Sequence, residues 1–179
     1  MGTPRLEDLP HYTWDDYQLW EGRWEIINGV AYAMSPAPSI KHQRINTKIV
    51  TQLDQLLSNC ESCFGVMPVD WKIADDTVVQ PDVSIVCGPI EEQYLKKPPL
   101  VIFEILSPST AKKDKSTKFR LYQDNGVKYY CLIDPETEVA EVYVLKKKKY
   151  EHLAKGRDPI VSFDLGECDI LFQLGQIWP

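Results

Sequence analysis

Val78-Val79-Gln80-Pro81-Asp82-Val83-Ser84-Ile85-Val86, followed by Leu100-Val101-Ile102-Phe103-Glu104-Ile105-Leu106, places one lone acid inside each of two apolar runs. Runs of this length and composition read as buried strands. A carboxylate inside such a strand loses hydration, and its pKa rises unless a cation or a donor compensates. Five basic residues follow closely, Lys112, Lys113, Lys115, Lys118 and Arg120, with Asp114 as the only acid among them. Two acids on neighbouring strands with a basic helix behind them point to a bound metal ion and a lysine as the compensation.

Outward from these two strands, the chain reads as α/β. Upstream, Ile45, Ile49, Leu53 and Leu56 recur at helical spacing, which predicts a helix from 40 to about 57. Strands are expected at 64–73, 78–86 and 100–106, and Asp75-Asp76 marks the first turn between them. Ser107-Pro108-Ser109-Thr110 stops the third strand, and a helix over about 113–123 ends near Asn125-Gly126. Tyr129-Tyr130-Cys131-Leu132-Ile133 is a further buried strand. A hairpin over 138–145 and 150–153 has Lys146-Lys147-Lys148-Lys149 at its tip, and Ile170-Leu171-Phe172 forms a last short strand. Nearer the start, Thr13 with Asp16 opens a short helix to about Leu19. Residues 24–34 form a hairpin around Asn28-Gly29, a pair suited to a two-residue type I′ turn. Ser35-Pro36-Ala37-Pro38-Ser39 then breaks the strand. The sum is a mixed sheet flanked by helices, with an extra N-terminal β-hairpin.

With 179 residues, 44% of them hydrophobic, the chain can fill one core and is short for two. A single domain over 1–179 is expected. No apolar run approaches the roughly 18 residues of a membrane span, and no apolar signal region follows Arg5, so a soluble cytoplasmic protein is expected. Five cysteines, an odd number, are then expected as reduced thiols. Cys60-Glu61-Ser62-Cys63 has metal-ligand spacing, but Cys87, Cys131 and Cys168 stand alone, so half-buried cysteines are the simpler reading. A net charge of -6 argues against coating nucleic acid with the whole surface, so any such contact must be local.

Strand alternation puts Gln80, Asp82 and Ser84 on one side of their strand. Pro81 cannot donate to a ladder, so a bulge or an edge is expected beside Asp82, leaving a gap for a ligand. Asp82 and Glu104 together could hold one Mg2+ (or Mn2+) through oxygen. Asp114, Lys118 and Tyr122 are spaced by four residues and so share one helix face. Glu25 lies mid-strand in the first hairpin, where a half-exposed residue is expected to face solvent. His42, three residues before Ile45, leans toward the core. No Ser–His–Asp arrangement, Gly-rich phosphate loop or dinucleotide fingerprint is present.

Taken together, Pro81-Asp82, the run Glu104 to Thr110, Asp114, Lys118, Tyr122, Gly126-Val127-Lys128-Tyr129-Tyr130 and Asp134-Pro135 resemble the Uma-two family of restriction endonucleases. Glu25 with Asn28-Gly29, and Ser35-Pro36-Ala37-Pro38 with His42-Gln43, resemble its N-terminal signature. The resemblance covers nearly the whole chain. It implies a PD-(D/E)XK nuclease fold with a core at about 40–135, and a catalytic set of Asp82, Glu104 and Lys118. Asp82 and Glu104 would be the Mg2+ or Mn2+ ligands, and Glu25, His42, Gln80, Asp114 and Tyr122 would support them. The lysine expected two residues after the glutamate is replaced by Leu106, so the basic role falls to Lys118. The implied activity is DNA endonuclease hydrolysis by a homodimer, with no membrane partner. A nuclease-fold binding or regulatory module is the alternative, and an enzyme of another phosphodiester or nucleotide a third.

Overall fold

The computed structural model describes residues 9–34 and 37–179. The reading of the first eight residues, and of Ser35-Pro36 as a strand breaker, lies outside them.

Near the start, α1 (Trp14–Tyr17) is opened by Thr13, whose N–H and hydroxyl both donate to the Asp16 carboxylate. A hairpin, β1 (Trp24–Ile27) and β2 (Val30–Ala33), follows. Its turn residues Asn28 and Gly29 both take positive φ, +51° and +76°, as the type I′ reading requires. Ser39 then caps α2 (Ile40–Leu57), its hydroxyl accepting from the His42 N–H. Ile45, Ile49, Leu53 and Leu57 form the buried stripe of α2. Leu57 takes the deep position that the spacing assigned to Leu56. Each such side chain contributes about 1.5–3 kcal/mol by leaving water.

The stretch expected as two long strands is folded into four short ones. β3 (Cys63–Val66), β4 (Trp71–Ala74), β5 (Thr77–Val79) and β6 (Val83–Cys87) form a bent double hairpin. β4 and β5 join β1 and β2 in a four-stranded sheet, whereas β3 and β6 belong to the main sheet. Gln80-Pro81-Asp82 is therefore the crossing between two sheets, and the proline expected at a bulge marks that break. Strand alternation does not run through it, so the shared side assigned to Gln80, Asp82 and Ser84 does not hold.

The main sheet continues through β7 (Val101–Ile105), β8 (Tyr129–Asp134), β9 (Val139–Lys146) and β10 (Lys149–Gly156). Its order is β10-β9-β8-β7-β6-β3, with β7 and β8 parallel and the other pairs antiparallel. Between β7 and β8 runs a helix in three parts: α3 (Ala111–Lys113), a π-helical turn (Asp114–Lys118) and α4 (Phe119–Asp124). Lys147 and Lys148 form the positive-φ tip of the β9–β10 hairpin. A separate hairpin, β11 (Ile160–Asp164) with β12 (Asp169–Gln173), closes the chain. β11 was not anticipated, although Val161 and Phe163 point inward and Ile160 and Ser162 outward.

Period-two alternation gives the main sheet two apolar faces. Val101, Phe103 and Ile105 pack with α2 and with Phe163 and Phe172 of the last hairpin. Ile102 and Leu106 pack on the other side with Tyr122, Tyr130 and Trp71. Glu104 shares the parity of that second side, so it meets the helix that follows its own strand. Among the described residues, no helix is long and apolar enough to cross a membrane.

The expectation of reduced thiols is overturned for four of the five cysteines. Cys63 and Cys87 are register partners on β3 and β6 and are bonded, and Cys60 is bonded to Cys168 across 108 residues of sequence. Cys131 stays a buried thiol. Cross-strand register and loop convergence make these pairs, and neither is legible in cysteine spacing.

Candidate active site

Asp82 and Glu104 come together through strand register. Val83 pairs with Phe103 in the antiparallel β6–β7 ladder, so the next position out sets Asp82 opposite Glu104. The Ile105 N–H donates to Asp82 Oδ2 at 2.8 Å, which ties the acid to the neighbouring strand. His42 Nε2 lies 3.2 Å from the same oxygen. Helix α2 thus holds the acid from the opposite side.

Glu104 is buried, and both of its contacts fall on one oxygen. Lys118 Nζ donates to Oε1 at 2.9 Å and the Tyr122 hydroxyl donates at 2.7 Å. Burial pushes the Glu104 carboxyl well above the usual range, Lys118 opposes it, and the charges of Asp114, Asp82 and Glu25 add to the rise. Lys118 is itself only 2% exposed. Burial would lower its pKa, but Glu104, Glu25 and Asp114 outweigh burial and hold it well above the usual lysine value.

Glu25 does not face solvent. It is fully buried, with Lys118 Nζ 2.8 Å from Oε1 and Lys113 Nζ 2.6 Å from Oε2. The Gln80 N–H donates to Oε1 at 3.0 Å. Burial raises the carboxyl, and the two lysines more than reverse it, for a net lowering. The hairpin expectation failed because the cations that permit burial lie 88 and 93 residues further along the chain, on the π turn and its flank. In sequence Lys113 is one of a basic run, and nothing there marks its place in this cluster. Gln80 turns its own side chain away: its amide nitrogen donates to Asp70 and to the Tyr17 oxygen, and its carbonyl accepts from Arg23.

Asp114 lies inside the π turn with Oδ1 3.7 Å from Lys118 Nζ, and among the described residues no hydrogen-bond donor reaches that buried oxygen. Burial raises its pKa, partly countered by Lys118. The Tyr130 hydroxyl donates to the Asp114 carbonyl at 3.0 Å and fixes the turn on the sheet. π turns inside helices occur often at functional sites. The expected face of Asp114, Lys118 and Tyr122 is present, with all three buried.

These groups floor a cleft of about 1190 Å³. His42, Asp82, Glu104 and Asp114 line it, and the exposed Arg23, Lys112 and Lys115 stand at its rim. Oxygen donors that could hold a hard divalent cation are Asp82 Oδ1 and Glu104 Oε2, which the contacts above leave unused, and the orphaned Asp114 Oδ1.

A mixed sheet with a parallel β7–β8 pair, a helix on either face and acids at the β6–β7 edge defines the restriction-endonuclease-like nuclease fold. Residues 14–164 match the Uma2 family, described as a putative restriction endonuclease, and the chain belongs to that family. It is 31% identical over 140 residues to an uncharacterized protein of Synechocystis sp., covering 76% of this chain and 72% of that protein. A crystal structure from Anabaena variabilis, described as a putative nuclease belonging to DUF820, matches with a TM-score of 0.75. That match covers 92% of this chain and 96% of the other at 19% identity.

Proposed function

We propose that this chain is a Mg2+- or Mn2+-dependent DNA endonuclease, with Asp82 and Glu104 as metal ligands and Lys118 as their basic partner. The observation that carries the reading is charge balance. Among the described residues, Glu25, Glu104 and Asp114 share two ammonium groups, those of Lys113 and Lys118, while Asp82 beside Glu104 meets only the Ile105 N–H and the His42 ring, at the edge of an open cleft. Burial pushes Glu104 upward first, Lys118 opposes it, and the nearby charges of Asp114, Asp82 and Glu25 add to the push. A divalent ion would supply the missing charge, and oxygen ligands suit it.

When bound, such an ion polarises a phosphoryl oxygen and lowers the pKa of an attached water. The protein's own groups prepare for that step. His42 and the Ile105 N–H fix Asp82, while Tyr122 and Lys118 hold one Glu104 oxygen and leave the other toward the cleft. The Lys118 ammonium, clamped between Glu25 and Glu104, is a preorganised positive charge near where a phosphate would gain charge. Lys112, Lys115 and Arg23 give a chain of net charge -6 a local basic rim for backbone phosphates. In this reading residues 1–179 act as one domain with its nuclease core at about 40–135. Two copies would address two strands, in the cytoplasm.

One observation favours a second reading, a nuclease-fold module that binds without turnover. Lys118 is buried among three acids and already serves as an internal cation there. Plasmid nicking with Mg2+ or Mn2+, together with calorimetry of metal binding, separates the two. The endonuclease reading expects metal-dependent nicking that is lost in Asp82→Ala. Nicking that persists in Asp82→Ala assigns the activity to a contaminant, and absent metal binding with no thermal stabilisation supports the module.

A further inference from the structure

We propose that Cys60, Cys63, Cys87 and Cys168 form a second metal centre, remote from the cleft: in the reduced protein the four thiolates hold one Zn2+. Three loops converge there. Cys60 and Cys63 bracket the turn after α2, Cys87 ends β6, and Cys168 precedes β12. Ser62, inside the Cys60-Glu61-Ser62-Cys63 segment, is the hub. Its N–H donates to Glu167 Oε1 at 2.8 Å, and its carbonyl accepts from the Gly88 N–H at 2.9 Å. One backbone hydrogen bond and one to the Glu167 carboxylate therefore tie the three cysteine-bearing loops together independently of any sulfur–sulfur bond.

The pairing pattern is the second argument. The two cysteines of the C-x-x-C segment are not joined to each other. Cys60 is bonded to Cys168 and Cys63 to Cys87. The two bridges also meet, because the sulfurs of Cys63 and Cys168 lie within 4.8 Å of each other and of a Glu167 carboxylate oxygen. Two independent staples need not share a site, whereas four ligands of one ion must. Tetrahedral zinc with Zn–S near 2.3 Å sets its sulfurs about 3.8 Å apart. The cross-bridge pair Cys63 and Cys168, already within 4.8 Å, stands near that spacing, so side-chain rotations on fixed loops can reach it. The Cys60–Cys63 pair has the ligand spacing of structural zinc sites, and the second pair such a site needs, which the sequence lacks, is supplied by the fold as Cys87 and Cys168.

The interconversion balances. Two equivalents of a dithiol reductant deliver four electrons and four protons to the two disulfides, giving four thiols and two oxidised dithiols. Zinc then displaces the four thiol protons to solvent, leaving a tetrathiolate site of charge −2.

The test uses the full chain, reduced with excess dithiol, desalted under nitrogen and titrated with Zn2+ against a chromophoric chelator. Co2+ serves as a spectroscopic probe in parallel. The expected result is one tight zinc per chain, tetrahedral thiolate bands with Co2+, and affinity lowered at least about tenfold in Cys63→Ser and in Cys168→Ser. Cys131→Ser keeps wild-type affinity. X-ray absorption on the zinc-loaded wild type counts sulfur neighbours, which keeps the test decisive even if a serine variant fails to fold. No zinc uptake by the reduced wild type, a first shell of oxygen and nitrogen only, or unchanged affinity in Cys168→Ser would each overturn the assignment.

Discussion

Replacing Lys118 by methionine keeps most of the side-chain volume and removes the ammonium. That group lies 2.8 Å from Glu25, 2.9 Å from Glu104 and 3.7 Å from Asp114. At an effective dielectric of about 20, a unit pair near 3 Å carries about 5.5 kcal/mol of gross attraction. Desolvating the ammonium takes back several kcal/mol. In the variant the acids also relieve themselves by binding protons, Glu104 first, because burial and its acidic neighbours already push it upward. The net expectation is a loss of about 3–5 kcal/mol, the usual result of removing one partner from a buried ionic cluster. For a domain of this size that is a fall in Tm of roughly 6–20 °C. Urea unfolding near neutral pH, followed by circular dichroism and tryptophan fluorescence, reads it as a lower midpoint at unchanged slope. A loss below about 1 kcal/mol would put Lys118 in the class of exposed pairs and remove the basis of the charge argument. Lys118→Arg is expected to recover only part of the loss, since a planar fork does not replace a compact ammonium among three acids.

Glu25 gives a pH signature. Its folded-state pKa lies below the ordinary 4.5, so its contribution to stability is present above that value and lost as pH falls through the folded one. The stability gap between wild type and Glu25→Gln should therefore narrow between about pH 6 and about pH 3, and a constant gap in urea melts across that range would contradict it. Gly29→Ala should cost more than Gly126→Ala. Both sites have positive φ, each worth about 1–2 kcal/mol, but only at Gly29 would the added methyl meet a side chain, the His11 ring. Equal Tm losses would place the whole cost in the backbone. For DNA binding, Lys112→Ala with Lys115→Ala should flatten the slope of log K against log salt by about 2, and an unchanged slope would take both lysines off the phosphate path.

Much of the fold was legible because local chemistry and tertiary structure agree. Asn28-Gly29 fixes its turn through φ, and Ile45, Ile49 and Leu53 mark the α2 stripe. Asp82 and Glu104 stood out because a lone acid in an apolar run is costly. Other features depended on distant partners. Short alternating segments look the same whichever sheet receives them, so the crossings near Asp70 and at Gln80–Asp82 were read through as continuous strands. Glu25 looked like a surface residue because nothing near it in sequence announces Lys113 and Lys118. The disulfides follow the same rule, since Cys63 and Cys87 meet through ladder register. The π turn left no trace in the apolar spacing, because its signature is a shift of phase and not of composition.

That phase shift has a consequence for how the cluster can be lost. Lys113 and Lys118 both reach Glu25, yet residues five apart sit about 140° apart around an ideal α-helix. The π turn, with its i→i+5 pattern, brings them into line. The cluster is thus encoded in chain length as well as in residue identity. Inserting one residue beside the exposed Ser116 would remove no acid and no lysine, yet it would set the two lysines six apart, about 240° on an α-helix, and swing one ammonium out of reach, whereas deleting Ser116 sets them four apart, about 40°, and keeps both on Glu25. Within this helix, a gained residue is more damaging than a lost one.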